Sequence, residues 1–273
     1  MRIIETSLYT SQRPARDLRE LAASGVVAIV EPMTYAGLAR RYADTYMDEF
    51  ERLLVAEPRR CAEFGIEHLS LLGVPALDAS QPDAAHRALD RLGAFLGRTG
   101  CVGIGEVGFE EMTHEEERLL RRQARMARET GLPFVIQAPS NRSPQGVARS
   151  LQIAAQEQVR PELTLVKGVD GQTLPLVLQS GAWAGLTLHP RFLSADDALR
   201  LIARHGLDRL MLQSDAGRGY GDHLAVPAFA RRLRNEGLSE KETERLTYHN
   251  PKWFFSQGLG LDQSQARERV AAI

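Results

Sequence analysis

Short apolar runs rich in Val, Ile and Leu alternate with longer amphipathic segments along the chain. Each short run has the length of a strand, and the longer segments show the apolar spacing of a helix with one buried face. Regular alternation of the two patterns favours parallel βα units over a sandwich or a helical bundle. Eight runs are predicted to be strands: Arg2–Tyr9, Val26–Pro32, Ile66–Val74, Cys101–Phe109, Pro133–Pro139, Leu163–Asp170, Trp183–Pro190 and Arg209–Gly217.

The amphipathic segments carry signals for helix boundaries. Thr113 followed by Glu116 is the pattern of a capping box that opens a helix. Gly131 stands where that helix should end, and Gly25 and Gly206 stand at the same place after two other segments. Helices are predicted over Arg13–Ser24, Ala84–Leu96, Glu115–Thr130, Ala195–His205 and Ser239–Ser256, with an additional helix within Thr34–Glu63.

Eight strands that alternate with helices predict a closed (β/α)8 TIM barrel, an architecture of ~250 residues. The chain has 273 residues and no Pro-, Gly- or Ser-rich linker. We therefore expect residues 1–273 to form a single domain with a helical tail at about 239–273. An open doubly wound sheet is less favoured, because the first turn, Ser7–Gln12, lacks the glycines of a dinucleotide-binding loop.

Net charge and hydropathy limit which binding partners and which cellular location are expected. Lys and Arg number 34 and Asp and Glu number 35, for a net charge of −1, so we predict a small-molecule substrate and no nucleic acid partner. No apolar stretch approaches the ~20 residues of a membrane span, and the first residues do not form a charged and then apolar leader. We expect a cytoplasmic protein, not bound to membranes, in which Cys61 and Cys101 are buried thiols. The oligomeric state is left open.

Polar residues occupy the ends of the predicted strands, where a barrel of this kind carries its catalytic groups. Side chains alternate along a strand, so residues of one parity could line one mouth and perform acid/base catalysis there. The alternative is that some of them form ion pairs or hydrogen-bonded plugs. The catalytic candidates are Glu106, Asp215, Tyr9, Gln137 and His189, and the same strand ends also carry Glu5, Ser7, Thr187 and Gln213.

The segment after the last predicted strand, Gly217–His223, places three glycines among Arg, Tyr, Asp and His. In TIM barrels this position often recognises phosphate or another acidic group of the substrate. We expect a substrate loop, with an ordinary turn as the alternative. The predicted substrate-binding residues are Ser7, Arg218, Tyr220 and His223.

Two further sets of charged side chains are interpreted as ordinary surface. The first is an arginine stripe on the helix that begins after Thr113, where nearby glutamates favour an ion-paired, solvated face over a phosphate site. The second is a set of histidines on helices or at a strand start. These residues are Arg121, Arg122, Arg125 and Arg128 in the first set, and His68, His86, His114 and His205 in the second.

Three motifs carry a family resemblance that extends along most of the chain. They are Ile104–Gly108 with the Glu-rich helix start and Gly131-Leu132-Pro133 behind it, Leu212–Ala216, and Asn250-Pro251 with Phe254. With these motifs the sequence resembles the TatD-like branch of the metal-dependent hydrolases, a (β/α)8 family. The resemblance implies two divalent ions, held by a His-x-His pair on the first strand, a Glu after the fourth, one His on each of the fifth and sixth, and an Asp on the eighth.

This sequence keeps two of the ligands that the resemblance implies, Glu106 and Asp215. The histidine positions are occupied by Ser7, Tyr9, Gln137 and Gly168. Two carboxylates and an amide would hold one ion weakly and would not support two ions ~3.5 to 4 Å apart. We expect no metal cofactor, with one weakly bound divalent ion on Glu106 and Asp215 as the alternative.

Lys167 ends the sixth predicted strand, where a Schiff-base lysine could lie. The resemblance places Gly168 on the inward side, and neighbouring residues on a strand face opposite sides. We therefore expect Lys167 to point toward the helical layer.

Three functions are compatible with these residues. The favoured hypothesis is an enzyme that acts on a small polar metabolite by metal-independent acid/base chemistry at the mouth of the barrel, because the replacing side chains are mostly polar and can form hydrogen bonds. One alternative is a metal-dependent hydrolase with a single weakly held ion, acting on a phosphoester or an amide. Another is a non-catalytic relative that binds a metabolite or a protein partner.

Overall fold

The computed structural model describes residues 1–33, 37–141, 144–217 and 221–257. Eight parallel strands follow one another around a sheet in chain order. Their bounds are β1 Ile3–Glu5, β2 Val26–Pro32, β3 Glu67–Leu72, β4 Cys101–Gly108, β5 Phe134–Gln137, β6 Thr164–Lys167, β7 Trp183–Thr187 and β8 Leu210–Gln213. Beyond the ends of β8 and β1, a parallel bridge joins Ala216 to Leu8. These strands confirm the predicted (β/α)8 barrel.

Helices connect the strands. Their bounds are α1 Ala15–Ala23, α2 Asp44–Glu51, α3 Glu57–Ala62, α4 Pro82–Leu96, α5 His114–Thr130, α6 Pro144–Gln156, α7 Leu174–Gln179, α8 Ala195–His205, α9 Ala225–Asn235, α10 Glu240–Glu244 and α11 Asn250–Ser256. One π-helical turn, Arg52–Ala56, joins α2 to α3, and another, Arg245–His249, joins α10 to α11. The predicted additional helix in the second connection is thus present as α2 and α3, and the predicted tail is helical to Ser256.

The boundary signals act as predicted on α5. The Thr113 side chain accepts a hydrogen bond from the backbone of Glu116, whose side chain accepts one from the backbone of Thr113. Gly131 ends the helix in the left-handed conformation, with φ of 68°. The arginine stripe of this helix is ion-paired, as expected: Arg121 with Glu117 and Glu157, Arg122 with Asp90, Arg125 with Glu157 and Arg128 with Glu129.

The apolar core has two parts. Side chains of alternate strand positions pack together with the C-terminal helix in one cluster, which includes Ile4, Val102, Leu165, Met211 and Phe254. The larger cluster lies between the strands and the surrounding helices. Cys61 and Cys101 are buried free thiols, as predicted.

The tail packs against the amino ends of the strands. Asn250 donates hydrogen bonds to the carbonyl oxygens of Leu207 and Leu210, at 2.9 and 2.7 Å, and Thr247 donates to that of Arg2. The polar residues at the strand ends lie at the opposite, carboxyl-terminal end of the barrel. Within the described residues, no helix has both the length and the apolar character needed to cross a membrane.

Candidate active site

Tyr9 brings two carboxylates of distant strands together. Its hydroxyl lies 3.0 Å from Oδ1 of Asp215 and 3.3 Å from both carboxylate oxygens of Glu106. Tyr9 follows β1, Glu106 lies near the end of β4, and Asp215 follows β8. All three side chains are buried. Because the hydroxyl carries one proton, it can donate to only one of the two carboxylates at a time.

Lys167 lies at the centre of this group, and the prediction that it points toward the helices is wrong. Its amine forms an ion pair with Glu106, lies 3.6 Å from Oδ1 of Asp215 and donates a hydrogen bond to the Ser7 hydroxyl at 2.7 Å. Lys167 shares a strand face with Leu165, two residues earlier. Leu165 packs in the core cluster that alternate strand positions form with the C-terminal helix.

The strand alternation on which the prediction depended stops at Lys167, the last residue of β6. Gly168 has φ of +71°, a left-handed conformation that turns the chain. A Cβ at Gly168 would lie 2.6 Å from Nε2 of Gln137, so this residue also faces the site. Both neighbours therefore face inward, which strand parity alone does not allow.

Ser7 links the lysine to the carboxylates. Its hydroxyl accepts from Lys167 and donates to Oδ1 of Asp215 at 3.0 Å. Asp215 has φ of 52°, a conformation that aspartate tolerates better than most residues. The cluster formed by Ser7, Tyr9, Glu106, Lys167 and Asp215, which we call the mouth cluster, therefore connects the ends of β1, β4, β6 and β8.

Glu5 lies beside the mouth cluster and is fully buried. One of its carboxyl oxygens accepts hydrogen bonds from the backbone N–H groups of Ser7 and Ser214, at 3.2 and 3.0 Å. Burial nevertheless raises the pKa of Glu5 to about 8, although these bonds and the charge of Lys167 lower it. Glu5 is therefore mostly protonated at neutral pH.

Gln137 borders a small cavity that reaches Glu106. The cavity has a volume of about 50 Å³, enough for one or two water-sized groups. Its lining includes Leu77, Phe109 and Glu110 beside Gln137 and Glu106. The amide of Gln137 donates to the carbonyl of Ala138 at 3.2 Å. Glu106 thus borders this cavity, and its carboxylate also pairs with Lys167.

Two other strand-end residues form a hydrogen-bonded plug, the alternative considered for such positions. Gln213 donates to the hydroxyl of Thr187 at 2.6 Å, and Thr6 donates to Oε1 of Gln213 at 3.3 Å. All three side chains are buried.

His189 is buried at the edge of a separate cavity. Its Nδ1 accepts from the backbone N–H of Arg191 at 3.1 Å, and its ring meets that of Phe192 edge-on. The cavity, of about 370 Å³, lies between the segment after β7 and helix α9. A Cβ at Gly221 would approach both the His189 ring and Ala216, which places His189 beside the chain that follows Asp215.

The predicted substrate loop is described only in part, since Arg218 and Tyr220 lie outside the described residues. His223 contacts helix α1, with Nε2 2.9 Å from Glu20 and Nδ1 3.8 Å from Asp17. These three form the one group of three or more metal-ligand side chains found in the described part of the chain. Arg13 already pairs with Asp17 at 3.5 Å.

A second buried polar cluster was not anticipated, and the surface placement expected for His68 is wrong. His68 on β3 is buried, with Nε2 3.0 Å from Oε2 of Glu31 on β2. Arg52 of the first π-helical turn pairs with Glu31 at 2.9 Å. The backbone N–H of Thr10 donates to the Glu31 carboxylate at 3.0 Å. This face is covered because the long second connection packs over it. Of the other histidines, His114 is exposed, and His86 and His205 are partly buried.

The side chains around Glu106 and Asp215 do not fit the two divalent ions that the family resemblance implies. In the described residues, neither carboxylate belongs to a group of three or more His, Cys, Asp or Glu ligand atoms. Their partners are instead an ammonium group, a phenol and an alcohol. The positive charge of the Lys167 amine already lies against both carboxylates.

Comparison with known proteins agrees with the fold. Residues 9–256 match the family described as TatD related DNase. An uncharacterized metal-dependent hydrolase of Methanocaldococcus jannaschii is 25% identical over 254 residues, covering 93% of this chain and 99% of that protein. The TatD-like protein of Archaeoglobus fulgidus superposes with a TM-score of 0.78 at 25% identity, covering 92% of this chain and 99% of the other.

A more distant structure shares the fold alone. The phosphotriesterase homology protein of Escherichia coli, complexed with phosphate in its active site, superposes with a TM-score of 0.67 at 18% identity, covering 93% of this chain and 98% of the other. Since the family match extends from Tyr9 to Ser256, from the mouth cluster to the last described helix, the chain belongs to the TatD-related family.

Proposed function

We propose that this protein is an enzyme that moves protons on a small polar metabolite, without a divalent ion, at the carboxyl-terminal mouth of its barrel. The observation that carries the proposal is the position of Lys167, whose amine lies against Glu106 and Asp215. Donors and acceptors of protons thus meet within one buried cluster, as acid/base catalysis requires.

Each side chain of the mouth cluster has a distinct part in this proposal. Glu106 borders the small cavity and is the group that would take a proton from the substrate. Lys167 and Tyr9 contact Glu106 without lining that cavity, and would orient its carboxylate and exchange protons with it. Asp215 accepts hydrogen bonds from Ser7 and Tyr9 and so orients both. Gln137 offers an amide at the cavity wall for binding.

This chemistry differs from that named for the relatives. Hydrolysis by a metal-dependent enzyme uses a hydroxide formed on the ion, and the donor set here does not provide for such an ion. The family description names a DNase, yet a net charge of −1 gives no electrostatic footprint for a phosphate backbone. We therefore propose proton transfer, elimination, isomerisation or cyclisation of a small molecule.

The test is solvent deuterium exchange in the presence of a chelator. Purified protein is incubated in D2O with EDTA and a mixture of small hydroxy, keto and amino acids, and deuterium gained at carbon is measured by mass spectrometry. We expect exchange with the wild type and none with Glu106→Gln, which keeps the shape of the side chain but cannot act as the base. Lys241→Ala, a change of an exposed lysine on α10, serves as the control and should exchange like the wild type.

Two results would contradict the proposal. Hydrolysis of a phosphoester or an amide that requires added Mn²⁺ or Zn²⁺ would identify a metal-dependent hydrolase. Tight binding of a metabolite without any exchange or turnover would identify a non-catalytic binding protein.

A further inference from the structure

The amine of Lys167 is surrounded by oxygens from three separate strand ends. It donates to Ser7 after β1, pairs with Glu106 on β4 and approaches Asp215 after β8. Lys167 itself comes from β6 and is fully buried. A cation held by oxygens from several strands is the arrangement in which a divalent ion would otherwise be found.

We infer that Lys167 replaces the divalent cation of the family as the positive charge that holds Glu106 and Asp215 together. The inference deepens the proposed function, on which it rests, by naming the residue that makes this site independent of metal. Two buried carboxylates so close to one another are costly unless a cation compensates them. Within the described residues, Lys167 is the amine that the structure places between the two.

The neighbourhood of Gly168 supports the same conclusion independently. The resemblance places a histidine ligand at this position, but a Cβ here would lie 2.6 Å from Gln137 and 3.0 Å from the ring of Phe192. A histidine at position 168 would require both side chains to move. Gln137, at another position where the resemblance implies a histidine, thus fills the space in front of Gly168, as expected for a site organised around the lysine.

Removal of the amine should therefore expose a set of hard oxygen donors. Glu106 and Asp215 would supply two carboxylates, and Ser7 and Tyr9 would supply hydroxyl oxygens. Such donors suit Mg²⁺ and Mn²⁺ better than soft metals. Lys167→Ala should convert the mouth cluster into a site for one divalent cation.

The experiment compares thermal unfolding of the wild type and Lys167→Ala, each stripped with EDTA and then measured with and without excess Mn²⁺. We expect Mn²⁺ to raise the midpoint of Lys167→Ala by several degrees and to leave the wild type unchanged, because a ligand stabilises only the state that binds it. Titration calorimetry should show Mn²⁺ affinity higher in Lys167→Ala by about tenfold or more. Lys241→Ala should behave as the wild type, and adding Asp215→Asn to Lys167→Ala should abolish the response.

The inference is overturned if Mn²⁺ stabilises the wild type as much as Lys167→Ala, or if folded Lys167→Ala gains no affinity. Lys167→Gln, which places an amide oxygen near the position of the amine, replaces Lys167→Ala if the alanine variant does not fold, with the same expected outcomes. A gain of Mn²⁺ affinity without deuterium exchange in the wild type would overturn the proposed enzyme function alone. Exchange without that gain would overturn the role of Lys167 alone.

Discussion

The amine of Lys167 lies 2.7 Å from the hydroxyl of Ser7, although their strands, β6 and β1, are separated by β7 and β8 in the sheet. A long side chain therefore crosses the end of the barrel at the depth of Glu106 and Asp215. This crossing joins strand ends that share no backbone hydrogen bonds. The site is thus held by buried charges as well as by the barrel.

Lys167→Met should destabilise the protein strongly. Loss of the ammonium leaves Glu106 and Asp215 buried without their cation, and breaking such a pair typically costs about 3–5 kcal/mol. Urea unfolding at neutral pH, in a chelator, measures the loss. Lys241→Met on the exposed face of α10 should cost less than about 1 kcal/mol. Equal stabilities of the two variants would show that the lysine does not compensate the carboxylates.

Glu5→Gln should change how stability depends on pH. The unfolded chain releases this proton near the ordinary pKa of 4.5, whereas the folded protein keeps it up to about 8. Between these values the unfolded state binds fewer protons, so stability falls as pH rises, by at most ~1.4 kcal/mol per pH unit from this group. The stability of Glu5→Gln should not fall in this way, because glutamine has no proton to release in this range. Urea unfolding across the range should show a flatter profile for the variant, and parallel profiles would mean that folded Glu5 is ionised.

Gly168→Ala should be more destabilising than Gly131→Ala. Both glycines have left-handed φ angles, +71° and +68°, but a Cβ at Gly131 meets no atom within 4 Å. The backbone penalty of about 1–2 kcal/mol is therefore common to both variants. At Gly168 the Cβ also comes within 3.0 Å of the Phe192 ring, which should add a smaller crowding penalty, whereas the amide at the end of the Gln137 side chain can shift. Chemical denaturation of the two variants measures the difference. Equal losses would show that the space in front of Gly168 is open.

Glu31→Gln should reveal the importance of the buried cluster on β2 and β3. Burial alone would raise the pKa of Glu31, but the hydrogen bond from His68 and the charge of Arg52 hold it below its ordinary value. Removal of the charge should cost about 3 kcal/mol or more. This contribution is present above the ordinary pKa and is lost as the pH falls through the lowered one.

The matched control for that variant is Glu49→Gln, which removes another partner of Arg52 from a half-exposed position. It should cost about 1 kcal/mol or less, because both side chains are partly accessible to water, which screens the pair. Urea unfolding near neutral pH compares the two. Similar losses would mean that Glu31 contributes no more than a surface ion pair.

The barrel could be predicted from the sequence because strand and helix periodicities alternate without interruption. Helix α8 has the predicted bounds, and the capping box at Thr113 fixes the start of α5. Tyr9, Glu106 and Asp215 could be expected together, because the carboxyl ends of parallel barrel strands meet at one mouth.

Lys167 and His68 could not be placed in the same way. Alternation along β6 ends at Gly168, whose left-handed backbone lets two successive residues face the site. Leu165 and Lys167 lie on the same strand face, and this spacing could have indicated that Lys167 points into the barrel. His68 is buried on β3, which packs against α3 and the first π-helical turn. Burial by such a long connection depends on tertiary packing rather than on local pattern.

Metal content tests the central claim most directly. Untagged protein is analysed for metals as isolated, and again after incubation with Zn²⁺, Mn²⁺ or Mg²⁺ followed by gel filtration. Because the Lys167 amine already compensates Glu106 and Asp215, we predict far less than one ion per chain in both preparations. A content near one or two ions per chain would contradict the account and indicate a metal-dependent hydrolase.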